Sequence, residues 1–345
     1  MPVASLNTAW FALIGLLWAG YFVLEGFDFG VGVLTPLVAR DDVERRLCIN
    51  AIGPVWDGNE VWLIVAGGAT FAAFPTWYAT MFSGFYLALF LVLAALIVRG
   101  VSFEFRGKER APAWRATWDR ALFVGSLVPA FLWGVAFTDL VHGLPITAGA
   151  YTGGLLGLVH PIALLGGVAS LALFTLHGAV FLSAKTTGEL SARAGRVARR
   201  LAWPVAALVA GLVAWVAATA PAGSSAALSG AVPIALGAVA VAAVAVGGTV
   251  AGRGRDLPAF ATTAVGILAL SAAAFCALFP RVMVSSVPGR SLTVWNAASG
   301  HETLLVMTVV AAIFTPLVLA YQGWSYWVFR QRLVRPPQPA PGPRT

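Results

Sequence analysis

The chain has 345 residues, of which 59% are hydrophobic and only 10% charged, with a net charge of +8. This composition, with a mean hydropathy of +0.84, excludes an ordinary soluble domain, where about 25% of residues are charged. Cys48 and Cys276 lie far apart and give no CxxC, no zinc spacing and no disulfide framework.

Nine apolar stretches are long enough to cross a bilayer core of about 30 Å at 1.5 Å per residue. In chain order they cover about 9–37, 50–74, 77–98, 119–141, 155–183, 201–220, 229–250, 258–280 and 304–329. The expected fold is an all-α polytopic membrane protein, a single integral-membrane domain over 1–335. No Lys or Arg precedes Arg40, so a cleaved signal peptide is not expected. Stretches six and seven are joined by the weak turn "TAPAGSSAALSG". The tail "RPPQPAPGPRT" is Pro-rich without an apolar face, so 336–345 are expected to be disordered.

Assigning alternate loops to opposite sides puts 20 of the 22 Lys and Arg residues on one side and leaves Arg281 and Arg290 on the other. Positive loops stay in the cytoplasm, which predicts an outer N-terminus, an inner C-terminus and an odd number of spans. Because the charge is spread over short connectors, it speaks for topology and contact with membrane lipid, not for nucleic acid.

The segment "LEGFDFGVG", residues 24–32, carries Glu25 and Asp28 in mid-span. On a helix, Glu25, Asp28 and Gly32 share a sector of about 60°, while Gly26 and Gly30 form a GxxxG stripe suited to close helix contact. The next span opens "NAIGPVWDGNEVWLI", where Asp57 and Glu60 repeat the i, i+3 spacing. Two antiparallel helices would bring the two pairs to a similar depth, roughly 10–15 Å from the inner edge. A charged acid at mid-bilayer costs about 2.5–3.5 kcal/mol or more. Such acids must therefore be protonated, paired with a cation such as Arg99, or hydrated. A proton or cation pathway is one reading. A structural salt bridge for Glu25 and Asp28, or a helix-opening position for Asp57 and Glu60 after Pro54, is the other.

His160 and His177 stand on the fifth stretch, near 25 Å apart along a continuous helix. Each could serve as a single axial haem ligand, but the two cannot share one iron. His142 and His301 read as solvated residues at the outer edge, and Asp139, at the outer end of the fourth stretch, either lines an exit path or marks the interface. Trp10, Trp77, Trp133, Trp324 and Trp327 read as belts and packing. No P-loop, GxGxxG turn or Cys/His metal cluster is present in the sequence.

"LEGFDFGVG", then "ERR", then "NAIGPVWDGNEVWLIVAGGATFAAFPTWYATMFSGFY" closely resembles subunit II of the cytochrome bd-type quinol oxidases. The resemblance continues through "RGVSFEFRGK", "WRATWDRALFVGSLVPAFLWGVAF" and "SLTVWNAASGHETLLVMT". It is dense over about 15–140 and looser over 280–327, while 185–275 is generic membrane sequence.

The resemblance implies nine helices in two four-helix bundles plus one peripheral helix, in a bacterial plasma membrane. It implies a heterodimer with subunit I, which would carry the haems (b-type, with a haem d or b at the oxygen-reducing position) and the quinol site. Small single-helix subunits attach to some such complexes, and a quinone or lipid could occupy a groove in this subunit. Subunit II would carry no catalytic, cofactor or metal-binding residue of its own. It would stabilise subunit I and supply part of the cytoplasmic proton route.

Matched block by block, Asp57 resembles the carboxylate that admits protons, and Glu25 and Asp28 the intramembrane acids. Many members have Asp where this chain has Glu25, and Glu60 stands where some carry Gln. Asn296 stands where some have Asp. From the residues alone, an ion-coupled secondary transporter is the alternative, with the acids binding a cation near the midplane.

Overall fold

The computed structural model describes residues 5–219 and 230–336. The expected turn between stretches six and seven and most of the expected tail lie outside the described residues.

Eleven α-helices make up the described chain: α1 (Leu6–Val38), α2 (Asp42–Ile52), α3 (Trp56–Ala73), α4 (Pro75–Gly84), α5 (Tyr86–Phe105), α6 (Pro112–His142), α7 (Pro161–Lys185), α8 (Gly188–Thr219), α9 (Ala231–Val250), α10 (Asp256–Leu278) and α11 (His301–Val328). Two short hairpins join them, β1 (Ile146–Thr147) with β2 (Ala150–Tyr151) and β3 (Arg281–Met283) with β4 (Leu292–Thr293).

Local chemistry sets several of these boundaries. Pro75, Pro112 and Pro161 open α4, α6 and α7, where a missing N–H costs nothing. Asp41 caps α2 by accepting from the Glu44 N–H at 2.9 Å, while Glu44 reaches back to the Arg40 N–H at 2.8 Å.

Among the described residues, eight helices are long and apolar enough to cross a membrane: α1 and α5 through α11. The expected second stretch is α3, which misses that standard because it is 18 residues long and opens Trp56-Asp57-Gly58-Asn59-Glu60. The expected third stretch spans α4 and α5, which a single irregular residue, Phe85, separates. Its N–H still bonds the Met81 carbonyl at 2.8 Å, and the missing Cβ of Gly84 makes room for Tyr151. The expected fifth stretch is shorter than 155–183 suggests, because Leu155–Leu158 form a 3-10 turn and the helix begins only at Pro161.

Helix α1 is the axle of the molecule. It packs on α3, α6, α7 and α10, and every residue from Glu25 to Thr35 is buried. The GxxxG stripe makes its contact with α7: a Cβ on Gly30 would overlap the Phe174 carbonyl oxygen, and one on Gly178 would lie 2.5 Å from the Gly30 backbone. Trp10, Trp77 and Trp133 are core residues, whereas Trp324 and Trp327 are exposed on α11. That helix is almost unburied within this chain.

At one end of the bundle the loops after α6 and α10 lie together, with Leu144 bridging Ser285. The opposite, basic end is tied by ion pairs. Arg106 bonds Asp42 (2.7 Å) and Asp119 (2.5 Å), Arg115 bonds Asp42 (2.6 Å), Arg193 bonds Glu44, and Arg335 bonds Asp41 (2.6 Å). Residues beyond α11 run back over the α7–α8 turn, where the Leu333 N–H donates to the Lys185 carbonyl at 2.7 Å.

Candidate functional site

The buried stretch of α1 presents Glu25 and Asp28 toward α3 and α5, and Arg99 of α5 meets them. Its side chain is completely buried and bonds Glu25, with Glu60 of α3 at 3.8 Å from the same nitrogen. Gly125 of α6 makes the space for this arginine, since a Cβ there would sit 2.7 Å from the Arg99 Cβ. The guanidinium lies over Phe29 (5.0 Å) and Phe103 (5.5 Å), which shield it from lipid and add cation–π attraction.

Asp28 is held differently. Its Oδ2 accepts from Asn59 Nδ2 at 2.7 Å. The oxygen of the same amide accepts from Gln322 Nε2 at 3.1 Å and from the Tyr326 hydroxyl at 2.8 Å. Asn59 thus joins α1 to α11 through α3. Glu25 Oε2, Asp28 Oδ1, Arg99 Nε and Arg99 Nη2 are buried without a hydrogen-bond partner among the described residues. Buried polar atoms are rarely left so: water could meet all four, and a proton could sit on the two carboxylate oxygens. The cluster holds three acids and one cation.

Asp57 stands apart. With α3 beginning at Trp56, it falls in the first turn and is exposed, as the helix-opening reading allows. Asp57 and Glu60 both line a groove of about 440 Å³ between α3 and α5, walled by Trp56, Leu96, Ile97 and Gly100. Of the acids that the sequence places at one depth, the structure gathers Glu25, Asp28 and Glu60 around Arg99 and leaves Asp57 at the groove's surface. Glu60 is the shared member: its side chain is 21% exposed, lining the groove while approaching Arg99.

The two histidines do not share a helix. His160 precedes Pro161 and lies outside α7, with its Nε2 2.7 Å from Asp139 Oδ1 and its ring 5.1 Å from that of His142. His177 is buried and stacked on Phe260 at 4.6 Å. Its Nε2–H donates to the Val23 carbonyl (3.2 Å), and its Nδ1 accepts from the Thr263 hydroxyl (2.7 Å). With both nitrogens engaged, His177 does not fit a haem iron. No group of three metal-ligating side chains occurs among the described residues.

Sequence reasoning passed over Asn59 and left Asp139 open between an exit path and the interface; its side chain is fully buried near the end of α6. The signal for Asn59 was available, as a carboxamide set between two acids in an apolar helix. The Asp139–His160 contact has no local signal, because a loop separates its partners.

A family model for cytochrome bd terminal oxidase subunit II matches residues 6–329. The chain belongs to that family. It is 41% identical over 333 residues to the cytochrome bd ubiquinol oxidase subunit 2 of Bacillus subtilis, covering 96% of this chain and 98% of that one. It is 38% identical over 362 residues to the cytochrome bd-I ubiquinol oxidase subunit 2 of Escherichia coli K12, covering 96% of each. A chain of the bd oxidase from Geobacillus thermodenitrificans shares its fold, with a TM-score of 0.75 at 17% identity over 94% of this chain and 99% of that one. This protein is therefore a multi-pass membrane subunit of a cytochrome bd terminal oxidase, homologous to bacterial subunits. As a second subunit it belongs to a complex with subunit I, and a cytochrome complex implies haem.

Proposed function

We propose that this subunit braces the haem-bearing subunit I of a quinol-oxidising, oxygen-reducing complex and carries protons inward from the cytoplasm. The observation behind this reading is the double position of Glu60, which lines the α3–α5 groove and also approaches the buried Arg99 that binds Glu25. The likeness to ubiquinol oxidase subunits supports a quinol as the electron donor.

The distribution of Lys and Arg supports an outer N-terminus and a cytoplasmic C-terminus in a bacterial plasma membrane. Nine crossings then follow, with α3 as the second and α4–α5 as the third. Two four-helix bundles with α11 at the periphery are the arrangement we favour. On this orientation the α3–α5 groove lies toward the cytoplasmic half, since α3 begins just beyond the inner arginines.

Bound in subunit I, the haems supply the electron transfer and oxygen reduction. The residues of this chain handle protons. Asp57 takes a proton from water in the groove. Glu60, one helical turn and about 4.5 Å further along α3, passes it toward Glu25. Glu25 and Asp28 stand one helical turn apart on α1, so a proton held by either lowers their mutual repulsion. Arg99 offsets one negative charge and fixes the Glu25 carboxyl, while Asn59 fixes Asp28. The cluster can thus hold or release one proton without moving a helix.

The test is Asp57→Asn in the assembled complex. Oxygen consumption at saturating quinol should fall several-fold with haem content unchanged. Unaltered turnover would remove the proton role, and loss of haem would leave only the bracing role.

A further inference from the structure

The arginines of the basic end fall into two populations. Some are matched by acids: Asp41, Asp42, Glu44, Asp119 and Glu189 each pair with at least one guanidinium. Others are not, among them four around the start of α8 and the α9–α10 turn. Arg196, Arg200, Arg253 and Arg255 are exposed and have no carboxylate partner among the described residues. Asp256, next to Arg255 in sequence, accepts from the Ser183 hydroxyl (2.9 Å) and the Gly252 N–H (2.7 Å) and lies 3.9 Å from Arg332.

The fold brings these unmatched charges to one edge. Helix α8 touches the α9–α10 turn where a Cβ on Gly195 would lie 2.7 Å from the Gly252 Cα. Arg199 closes the junction by donating to the Ala251 carbonyl. Gly252 and Gly254 hold the turn with φ of +71° and +74°, a conformation that glycine adopts without strain. The turn that carries Arg253 and Arg255 is thereby set against the part of α8 that carries Arg196 and Arg200. Trp203 follows Arg199 and Arg200 by one helical turn, is 68% exposed, and stands about 4.5 Å further along α8. Leu257, just past Arg255, is 73% exposed.

We propose that the start of α8 and the α9–α10 turn form a headgroup site for an anionic phospholipid. Arg196, Arg200, Arg253 and Arg255 contact the phosphate, and Trp203 and Leu257 lie at the boundary with the acyl chains. Guanidinium forks match phosphate oxygens in geometry and charge, and basic clusters between membrane helices suit anionic headgroups. An exposed tryptophan one turn deeper is what a lipid interface accommodates and an acidic protein loop would not require. The site is independent of the proton route.

The test uses the intact oxidase complex and a combined Arg196→Gln, Arg200→Gln, Arg253→Gln, Arg255→Gln variant. Delipidated wild type should gain thermal stability from phosphatidylglycerol but not from phosphatidylcholine of the same chains or from inorganic phosphate. The variant should require at least about tenfold more phosphatidylglycerol for the same gain, and native mass spectrometry should show it retaining less anionic lipid. Equal responses to the two lipids, an equal response to phosphate, or unchanged lipid retention in the variant would overturn the proposal. So would loss of a partner subunit with lipid content unchanged, which would assign the patch to a protein contact. If the combined variant does not assemble, Arg253→Gln with Arg255→Gln, confined to the exposed turn, gives the same readout.

Discussion

Asn59 donates to Asp28 across 2.7 Å, and this one amide decides how the intramembrane acid is held. Its other end accepts from Gln322 and Tyr326, so Asn59→Leu removes the partner of buried Asp28 and of two half-buried groups at once. A buried group left without a partner costs about 1–3 kcal/mol. We expect Asn59→Leu to lower the melting temperature of the purified complex and to slow turnover. Tyr326→Phe, which removes one donor and leaves Asp28 held, should have the smaller effect on both.

Breaking the Arg99–Glu25 pair should be worse than removing it. Arg99→Leu leaves carboxylates in a buried site, a loss of about 3–5 kcal/mol for a broken buried pair. The variant subunit should fail to accumulate in membranes, as measured by immunoblot against the tagged chain. Arg99→Leu combined with Glu25→Leu should restore part of the level, because a well-packed apolar pair avoids the desolvation cost.

The α1–α7 contact leaves no room for a methyl group. Gly30→Ala or Gly178→Ala pushes a Cβ into the backbone of the facing helix, and overpacking of this sort costs at least about 1–3 kcal/mol. Both variants should lower the thermal stability of the complex, whereas Gly67→Ala, with open space around it, should not.

At the basic end, Asp41 is held below the usual carboxylate range, chiefly by the Glu44 N–H and further by Arg335. A carboxylate depressed in the folded state stabilises above its unfolded pKa and loses that contribution as pH falls through its folded value. The tie between Asp41 and residues 331–336 should therefore persist from about pH 8 to pH 5 and weaken only below the carboxylate range. Limited tryptic proteolysis after Arg332, which Leu333 follows, should show that profile in wild type. In Asp41→Asn the segment should be cut more readily throughout, and salt should narrow the difference because Asp41 is exposed.

Much of this was legible in the sequence where a single helix carries the information. The Gly26–Gly30 stripe named its own contact, and Arg99 was the cation within reach of Glu25. Depth along one helix proved harder. The turn at Gly53–Val55 starts α3 at Trp56, which leaves Asp57 exposed and turns Glu60 inward, a one-turn difference that hydropathy does not register. Contacts between distant segments were not legible at all. Asp139 finds His160 across a loop, and Asn59 finds Tyr326 from the far end of the chain, with no periodicity to announce either.

On the proposed route, protons reach Glu25 and Asp28 through Asp57 and Glu60. Proton uptake from the inner compartment, timed after oxygen is mixed with the quinol-reduced complex in vesicles, tests it most directly. In Asp57→Asn combined with Glu60→Gln, uptake and oxygen reduction should slow together, while haem reduction by quinol keeps its wild-type rate. Uptake at the wild-type rate in that variant would contradict the account.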